Sequence, residues 1–216
     1  MKIKICGITK EEEIGMLNDA GVDYAGFVFY EKSKRNISVK DAAALKSKLV
    51  PSIKSVAVTV SPDVKLAEAI EEAGFDIIQI HKELRDEVIS KIHIPIWRAV
   101  NISGCGDTKD IKDVLNEIPE QLRDRIEAVV VDAAKFGSGK TFDWEGASFD
   151  KIPGVNFVLA GGLDHKNVAK GIALFSPDVV DVSSAVEGEN GKDKDKVTEF
   201  VKAVKMAEET GGAADE

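Results

Sequence analysis

Cysteine is almost missing from this chain. Only Cys6 and Cys105 occur, without CxxC or Cys/His spacing, so neither a disulfide framework nor a zinc site is expected and a reducing cytoplasm is the compartment that fits. No apolar run is long enough to span a bilayer, and no apolar stretch precedes a small-residue cleavage site near the start, so neither a membrane anchor nor export is expected. Basic residues are in deficit, 29 Lys+Arg against 38 Asp+Glu for a formal charge of -9, and no Lys/Arg stripe offsets this. That argues against nucleic-acid partners and anionic membrane surfaces, and any anionic ligand must be held locally. Pro/Ser-rich linkers and shifts of composition are also lacking, so the chain reads as one domain over 1–210. GGAADE, at 211–216, is expected to be a frayed, disordered tail.

What the sequence does have is repetition of one kind. Short apolar, β-branched runs recur at 2–6 (KIKIC), 24–30 (YAGFVFY), 55–60 (SVAVTV), 76–80 (DIIQI), 94–100 (IPIWRAV), 127–132 (EAVVVD), 155–160 (VNFVLA) and 178–182 (DVVDV). Between them lie helical spacings. After Ser61 as N-cap and Pro62 at the first helical position, Val64, Leu66, Ala67, Ala69 and Ile70 can share one face. Near-continuous apolar strands alternating with helices call for a parallel sheet covered on its outside, joined by right-handed crossovers. Eight such units suggest a closed (β/α)8 TIM barrel, an α/β fold. The alternative, a doubly wound open sheet, would show a glycine-rich dinucleotide turn after its first strand, and Gly7 alone does not form G-x-G-x-x-G. The polar stretch EGENGKDKDK at 187–196 reads as a solvated loop.

In such a barrel, polar residues at the C-terminal strand ends converge on one mouth. They are Cys6 after the first strand, Glu31 to Arg35 after the second, His81 after the fourth and Asp132 after the sixth. Gly161 and Gly162 follow the seventh, and Asp181, Ser183 and Ser184 end the eighth. Glycines admit backbone N–H groups close to an anion, and hydroxyls and helix N-termini add donors, so the last two loops form a candidate phosphate site. Gly139-Lys140-Thr141 invites a nucleotide-binding reading, but G-x-x-x-x-G-K-[ST] needs glycine where Ala134 stands, and bulky Phe142-Asp143-Trp144 follow instead of a helix start. That segment reads as a loop at the site. A thiol and a carboxyl at one mouth make a minimal base and acid pair. Cys6, with an ordinary pKa near ~8.5, needs help from neighbouring donors to ionise, and Asp132 must be held neutral for part of a cycle. No metal ligands and no redox cofactor motif are found, so proton transfer is the indicated chemistry.

With KICGIT at 4–9, GFVFYEKSKRNIS at 26–38, IQIHKE at 78–83, VVVDAAKFGSGKTFDW at 129–144, LAGGLDHKNV at 159–168 and DVSSAVE at 181–187 in this order, the chain resembles the phosphoribosylanthranilate isomerase family of tryptophan biosynthesis. The resemblance implies a cofactor-free Amadori rearrangement of N-(5-phosphoribosyl)anthranilate to 1-(2-carboxyphenylamino)-1-deoxyribulose 5-phosphate. It also implies a monomer or homodimer whose partner is that phosphorylated small molecule. By the same resemblance Cys6 is the general base at ribose C2 and Asp132 the general acid at the ring oxygen. Arg35 is near the anthranilate carboxylate, Gly161, Gly162, Ser183 and Ser184 are on the phosphate, and His81 and Asp181 are polar pocket positions. Three residues depart from the pattern. Lys34 stands where proline is frequent, which loosens the loop that aims Arg35, Lys82 stands where glycine is common, and Ala185 replaces the usual glycine after the two serines. A dual-substrate isomerase acting also on the histidine-pathway aminoaldose typically uses two aspartates, and Cys6 in place of the first favours the tryptophan substrate. A phosphate-binding module without catalysis would have no need of the paired thiol and carboxyl.

Overall fold

The computed structural model describes residues 1–102, 120–133 and 152–211. Eight strands close into one parallel barrel in chain order: β1 (Lys2–Cys6), β2 (Tyr24–Phe29), β3 (Lys54–Val60), β4 (Ile77–His81), β5 (Ile96–Ile102), β6 (Ile126–Ala133), β7 (Asn156–Leu159) and β8 (Val179–Val182). The ring closes where β8 pairs with β1, Asp181 beside Lys4. The eight apolar runs are thus the eight strands, with only the fifth displaced, starting at Ile96 and running to Ile102.

Alternation along each strand sorts side chains into two cores. Tyr24, Val56, Val58, Ile77, Trp97, Ala99, Ala128, Val130, Val158, Ala160 and Val179 fill the barrel interior, with Cys6 and Val28 packed against them. Tyr24 and Trp97 meet edge to face, their ring centroids 4.8 Å apart. The opposite faces join the helices in a larger outer core. These helices are α1 (Glu11–Ala20), α2 (Val39–Lys46), α3 (Val64–Glu72), α4 (Asp86–Lys91), α5 (Glu120–Arg123), α6 (Val168–Phe175) and α7 (Lys194–Gly211). Extending the interior parity two residues at a time assigns Lys4, Gln79, His81, Asp132, Asp181 and Ser183 to the inward set.

Three local expectations are altered. α3 is capped by Asp63, whose carboxylate accepts from Leu66 N at 2.8 Å, and not by Ser61. Ser61 lies at φ 46, with its N–H donating to His81 O and its hydroxyl accepting from Glu83 N, so its groups are engaged across the sheet. The segment 187–196 is exposed over much of its length, as expected, but it is not a simple loop. After a 3-10 turn at Ser184–Val186 it forms an antiparallel hairpin, β9 (Glu187–Gly188) and β10 (Gly191–Lys192), and Lys192 is buried. The reason is Glu13 on α1, itself buried, whose carboxylate accepts from Thr9 N (2.7 Å), Lys10 N (3.0 Å) and Lys192 N (2.7 Å). One side chain therefore fastens the hairpin to the loop that follows β1. Finally, α7 continues to Gly211, the first residue of the expected tail, and 212–216 lie outside the described residues.

Candidate active site

Cys6 closes β1, and its backbone is gripped from both neighbouring strands. The N–H groups of Gly7 and Ile8 both donate to Gly26 O on β2 at 2.9 Å, and Ser183 beyond β8 donates its hydroxyl to Cys6 O, also at 2.9 Å. The sulfur fits because β2 carries Gly26 beside it. A Cβ there would stand 2.9 Å from Sγ and 3.0 Å from the Cys6 Cα. Gly7 then turns the chain at φ +88, a conformation that glycine adopts without strain.

Arg35 lies across this turn. Its aliphatic stem occupies the space that a Gly7 side chain would need, and its Nε donates to Glu187 on β9. Glu187 also receives Lys34 Nζ at 2.9 Å and Lys192 Nζ at 3.2 Å. Burial pushes this carboxyl up, but the hydrogen bonds from Arg35 and Lys34 and the charge of Lys192 outweigh it and hold the pKa at about 2. Three cations share one carboxylate, so the cluster keeps a net positive charge next to Cys6. Lys34, expected to loosen this loop, instead binds the same carboxylate that holds Arg35, and Ser33 Oγ accepts from Arg35 N at 3.1 Å.

One layer below the sulfur, the inward Lys4 is fully buried and donates to Asp181 Oδ2 at 2.6 Å. Burial pushes the Asp181 carboxyl up despite Lys4; at Lys4 burial is the largest single effect and lowers the pKa, but the charges of Asp181 and Cys6 and the bond to Asp181 together raise it. Cys6 is pushed up as well. Burial is the main cause, the negative Asp181 adds to it, and Lys4 and Lys192 pull the other way. For Lys192, burial lowers the ammonium pKa against the pull of Glu187. Its Nζ donates to Ser183 O at 3.0 Å.

On the far side of β8, Gly161 and Gly162 follow β7 at φ 85 and 69. The turn into α6 is knitted by Asp164, which accepts from Lys166 N and Asn167 N, and by Asn167 Nδ2, which donates to Gly162 O at 2.9 Å. Because β7 pairs with β8, the glycine turn and the Ser183-Ser184 turn rise side by side. Ala185 sits in the 3-10 turn without positive φ, so its Cβ costs nothing in the backbone. His81 ends β4, buried, with its Nε2 2.8 Å from Gln79 Nε2. Asp132 lies near the end of β6, partly buried, in register with Asn101 of β5 and separated from β1 by β7 and β8 around the ring. The loop from 134 to 151, with Gly139-Lys140-Thr141, lies outside the described residues, as does Cys105. Among the described residues no group of three or more His, Cys, Asp or Glu could hold a metal ion. No helix among them is long and apolar enough to cross a membrane.

Sequence reasoning missed Lys4, Glu187 and Lys192. Lys4 was available from strand alternation, since it shares the face of Cys6 two residues on. Glu187 and Lys192 reach the site only through the hairpin, which carries no local signature.

A closed parallel barrel with its polar side chains gathered at the C-terminal strand ends defines a (β/α)8-barrel protein whose candidate site is at that mouth. Residues 3–203 match the sequence profile of N-(5'phosphoribosyl)anthranilate (PRA) isomerase, and the chain belongs to that family. An N-(5'-phosphoribosyl)anthranilate isomerase of Streptococcus pneumoniae (strain Hungary19A-6) is 38% identical over 206 residues, 94% of this chain and 96% of the relative. The crystal structure of phosphoribosyl anthranilate isomerase from Thermotoga maritima is similar with a TM-score of 0.80 at 33% identity, covering 95% of this chain and 99% of that one. A crystal structure of the isomerase in complex with reduced 1-(o-carboxyphenylamino)-1-deoxyribulose 5-phosphate gives 0.76 at 31% identity, covering 95% of this chain and 99% of that one.

Proposed function

We propose that this chain converts N-(5-phosphoribosyl)anthranilate to 1-(2-carboxyphenylamino)-1-deoxyribulose 5-phosphate, the isomerisation step of tryptophan biosynthesis, by general acid and base catalysis. The observation that carries the reading is Arg35 lying across Gly7, the residue after Cys6, at the mouth of a barrel that matches the family from residue 3 to 203. The substrate is an aldosylamine with a phosphate at one end and an aryl carboxylate at the other. The glycine turn at Gly161-Gly162 and the turn opened by Ser183-Ser184 offer backbone donors for the phosphate. Arg35 is held by Glu187 through Nε, which leaves the two terminal nitrogens of its fork to face a carboxylate.

Between those anchors the chemistry is two proton transfers. Asp132, in its protonated form, gives a proton to the ring oxygen as the furanose opens to a Schiff base. Cys6, as thiolate, then removes the proton at C2, and the resulting enol amine tautomerises to the ketose by gaining a proton at C1 and losing the one on the C2 oxygen. His81, buried on β4, lines the inner wall of this mouth. The solvent-poor setting of Cys6 makes its thiolate scarce and strongly basic, the character required to remove a carbon-bound proton.

The test is a fluorescence assay in which substrate is formed in situ from anthranilate and phosphoribosyl pyrophosphate with the preceding transferase. The wild-type chain should consume the anthranilate-type fluorescence. Cys6→Ala and Asp132→Asn should each lose at least ~10²-fold in turnover, and Arg35→Met should act mainly by raising KM. Full turnover in Cys6→Ala would remove the base from the mechanism.

A further inference from the structure

The unusual group in this barrel is Lys4, an ammonium with no solvent exposure, set in the interior one strand alternation below Cys6. It has three N–H donors. One donor goes to Asp181 Oδ2 at 2.6 Å, and the charge of the ammonium also acts on Cys6, two residues on along the same inward face. Asp181 is only half satisfied by this arrangement: its second oxygen, Oδ1, is buried and meets no hydrogen-bond partner among the described residues. A simple structural ion pair would be expected to complete both oxygens in so dry a place, since an unmet buried acceptor is costly. Here the lysine is instead shared between an anion and a group that becomes an anion only when it gives up a proton.

We propose that Lys4 is a positioning residue for the reaction, holding the ionised sulfur of Cys6 from beneath, and that Asp181 sets how much of the Lys4 charge the sulfur receives. This rests on the reading of Cys6 as the base. The groups facing Cys6 are Lys4 from its own strand, Asp181 from β8 and Lys192 from β10, with Gly26 on β2 giving the sulfur room and the Arg35–Glu187 pair lying across Gly7. Lys192 is the second cation, but Glu187 and Ser183 O hold its ammonium. Lys4 is the cation set on the same inward face as the sulfur, two residues before it on β1. When the thiol loses its proton, the Lys4 ammonium gains a second ionic acceptor without moving its backbone, so the change is confined to donors already in place. When a proton returns to the sulfur, Asp181 reclaims the ammonium.

The consequence is a pair of opposite shifts. The rate of Cys6 alkylation by iodoacetamide, followed on the Cys6 peptide by mass spectrometry so that Cys105 is counted separately, reports the thiolate fraction against pH. Asp181→Asn removes the competing anion and should lower the midpoint by ~1 pH unit. Lys4→Met should raise it by ~1 unit or more, and Lys4→Arg should restore most of the wild-type value. Because Lys4→Met strands the Asp181 carboxylate, the double variant Lys4→Met/Asp181→Asn carries the same test in a neutral pair, and its midpoint should exceed that of Asp181→Asn. The pH at which kcat/KM levels off should move with the alkylation midpoint. Midpoints that stay put in Asp181→Asn, or that are equal in Asp181→Asn and the double variant, would overturn the proposal even if turnover falls, because a packing role alone predicts that pattern. Absence of isomerase turnover in the wild-type chain would strike the functional reading instead, and the alkylation shifts would remain a separate result.

Discussion

At the scale of single residues, Lys82 shows how a departure from a family pattern becomes a physical statement. It follows His81 at the end of β4 in the left-handed conformation, φ 59, where a Cβ costs roughly 1–2 kcal/mol and a glycine avoids that cost. Glycine returns part of this gain through the larger entropy of its unfolded chain, roughly 0.5–1 kcal/mol. Lys82→Gly should therefore stabilise the protein by about 0.5 kcal/mol, a rise in Tm of roughly 1–2 °C for a chain of this size, read by calorimetry. A fall in Tm would mean that the lysine stem contributes packing that outweighs its backbone strain. Ala185, the other place where glycine is usual, needs no such compensation because its turn is right-handed. The sequence alone marks both positions as departures, but only the dihedral angle separates the one that matters.

At the scale of elements, the β9–β10 hairpin is the part of the site least visible in the sequence. Glycine, asparagine and alternating lysine and aspartate are the composition of a solvated loop, and nothing local says that Glu187 and Lys192 turn inward. What turns them is Glu13, more than 170 residues away along the chain, together with the cations that gather on Glu187. The cluster makes a signed prediction about acid. Glu187 has a folded pKa of about 2 against an ordinary value of 4.5, so its contribution to stability is present above pH 4.5 and is lost as pH falls from there towards 2. Urea midpoints of wild type and Glu187→Gln should differ most at pH 6 and converge through that window. A constant difference from pH 6 to pH 2 would show that the carboxylate is not charged in the folded state in the way its three partners indicate. By contrast, the strands and the Cys6, Asp132 and Asp181 strand ends were legible in advance. Period-two alternation and strand order decide them locally, whereas the helix cap at Asp63 was misread because Ser61 is engaged by β4 and its following loop, a contact between strands distant in sequence.

At the scale of the whole molecule, the charge balance sets its behaviour in solution. The chain carries a formal -9 at pH 7 and an isoelectric point near 5.0, so mutual repulsion falls away about two units below neutrality. Solubility in low-salt buffer should pass through a minimum near pH 5, measured by light scattering of the native protein, and recover on either side. A minimum displaced by a unit or more would require surface charges to titrate far from their ordinary values. The fold itself was readable because eight repeats of one strand-and-helix unit leave little choice of architecture. The site was readable only in outline, since its electrostatics come from pairs such as Lys4 with Asp181 that unite β1 and β8 across 177 residues of sequence.

That union has a consequence for how the molecule comes into being. Asp181, Ser183, Glu187 and Lys192, which surround or brace Cys6, lie at least 175 residues beyond it in the sequence. The seam between β8 and β1 thus closes a long loop, a contact of the kind whose entropic cost is met before it stabilises the fold. A nascent or clipped chain that stops short of β8 keeps the thiol with Lys4, Gly26 and the Arg35 turn but lacks Asp181, Ser183, Glu187 and Lys192. With Cys6 as the proposed base, competence for chemistry requires the ring to be whole, so activity would report on closure of the barrel.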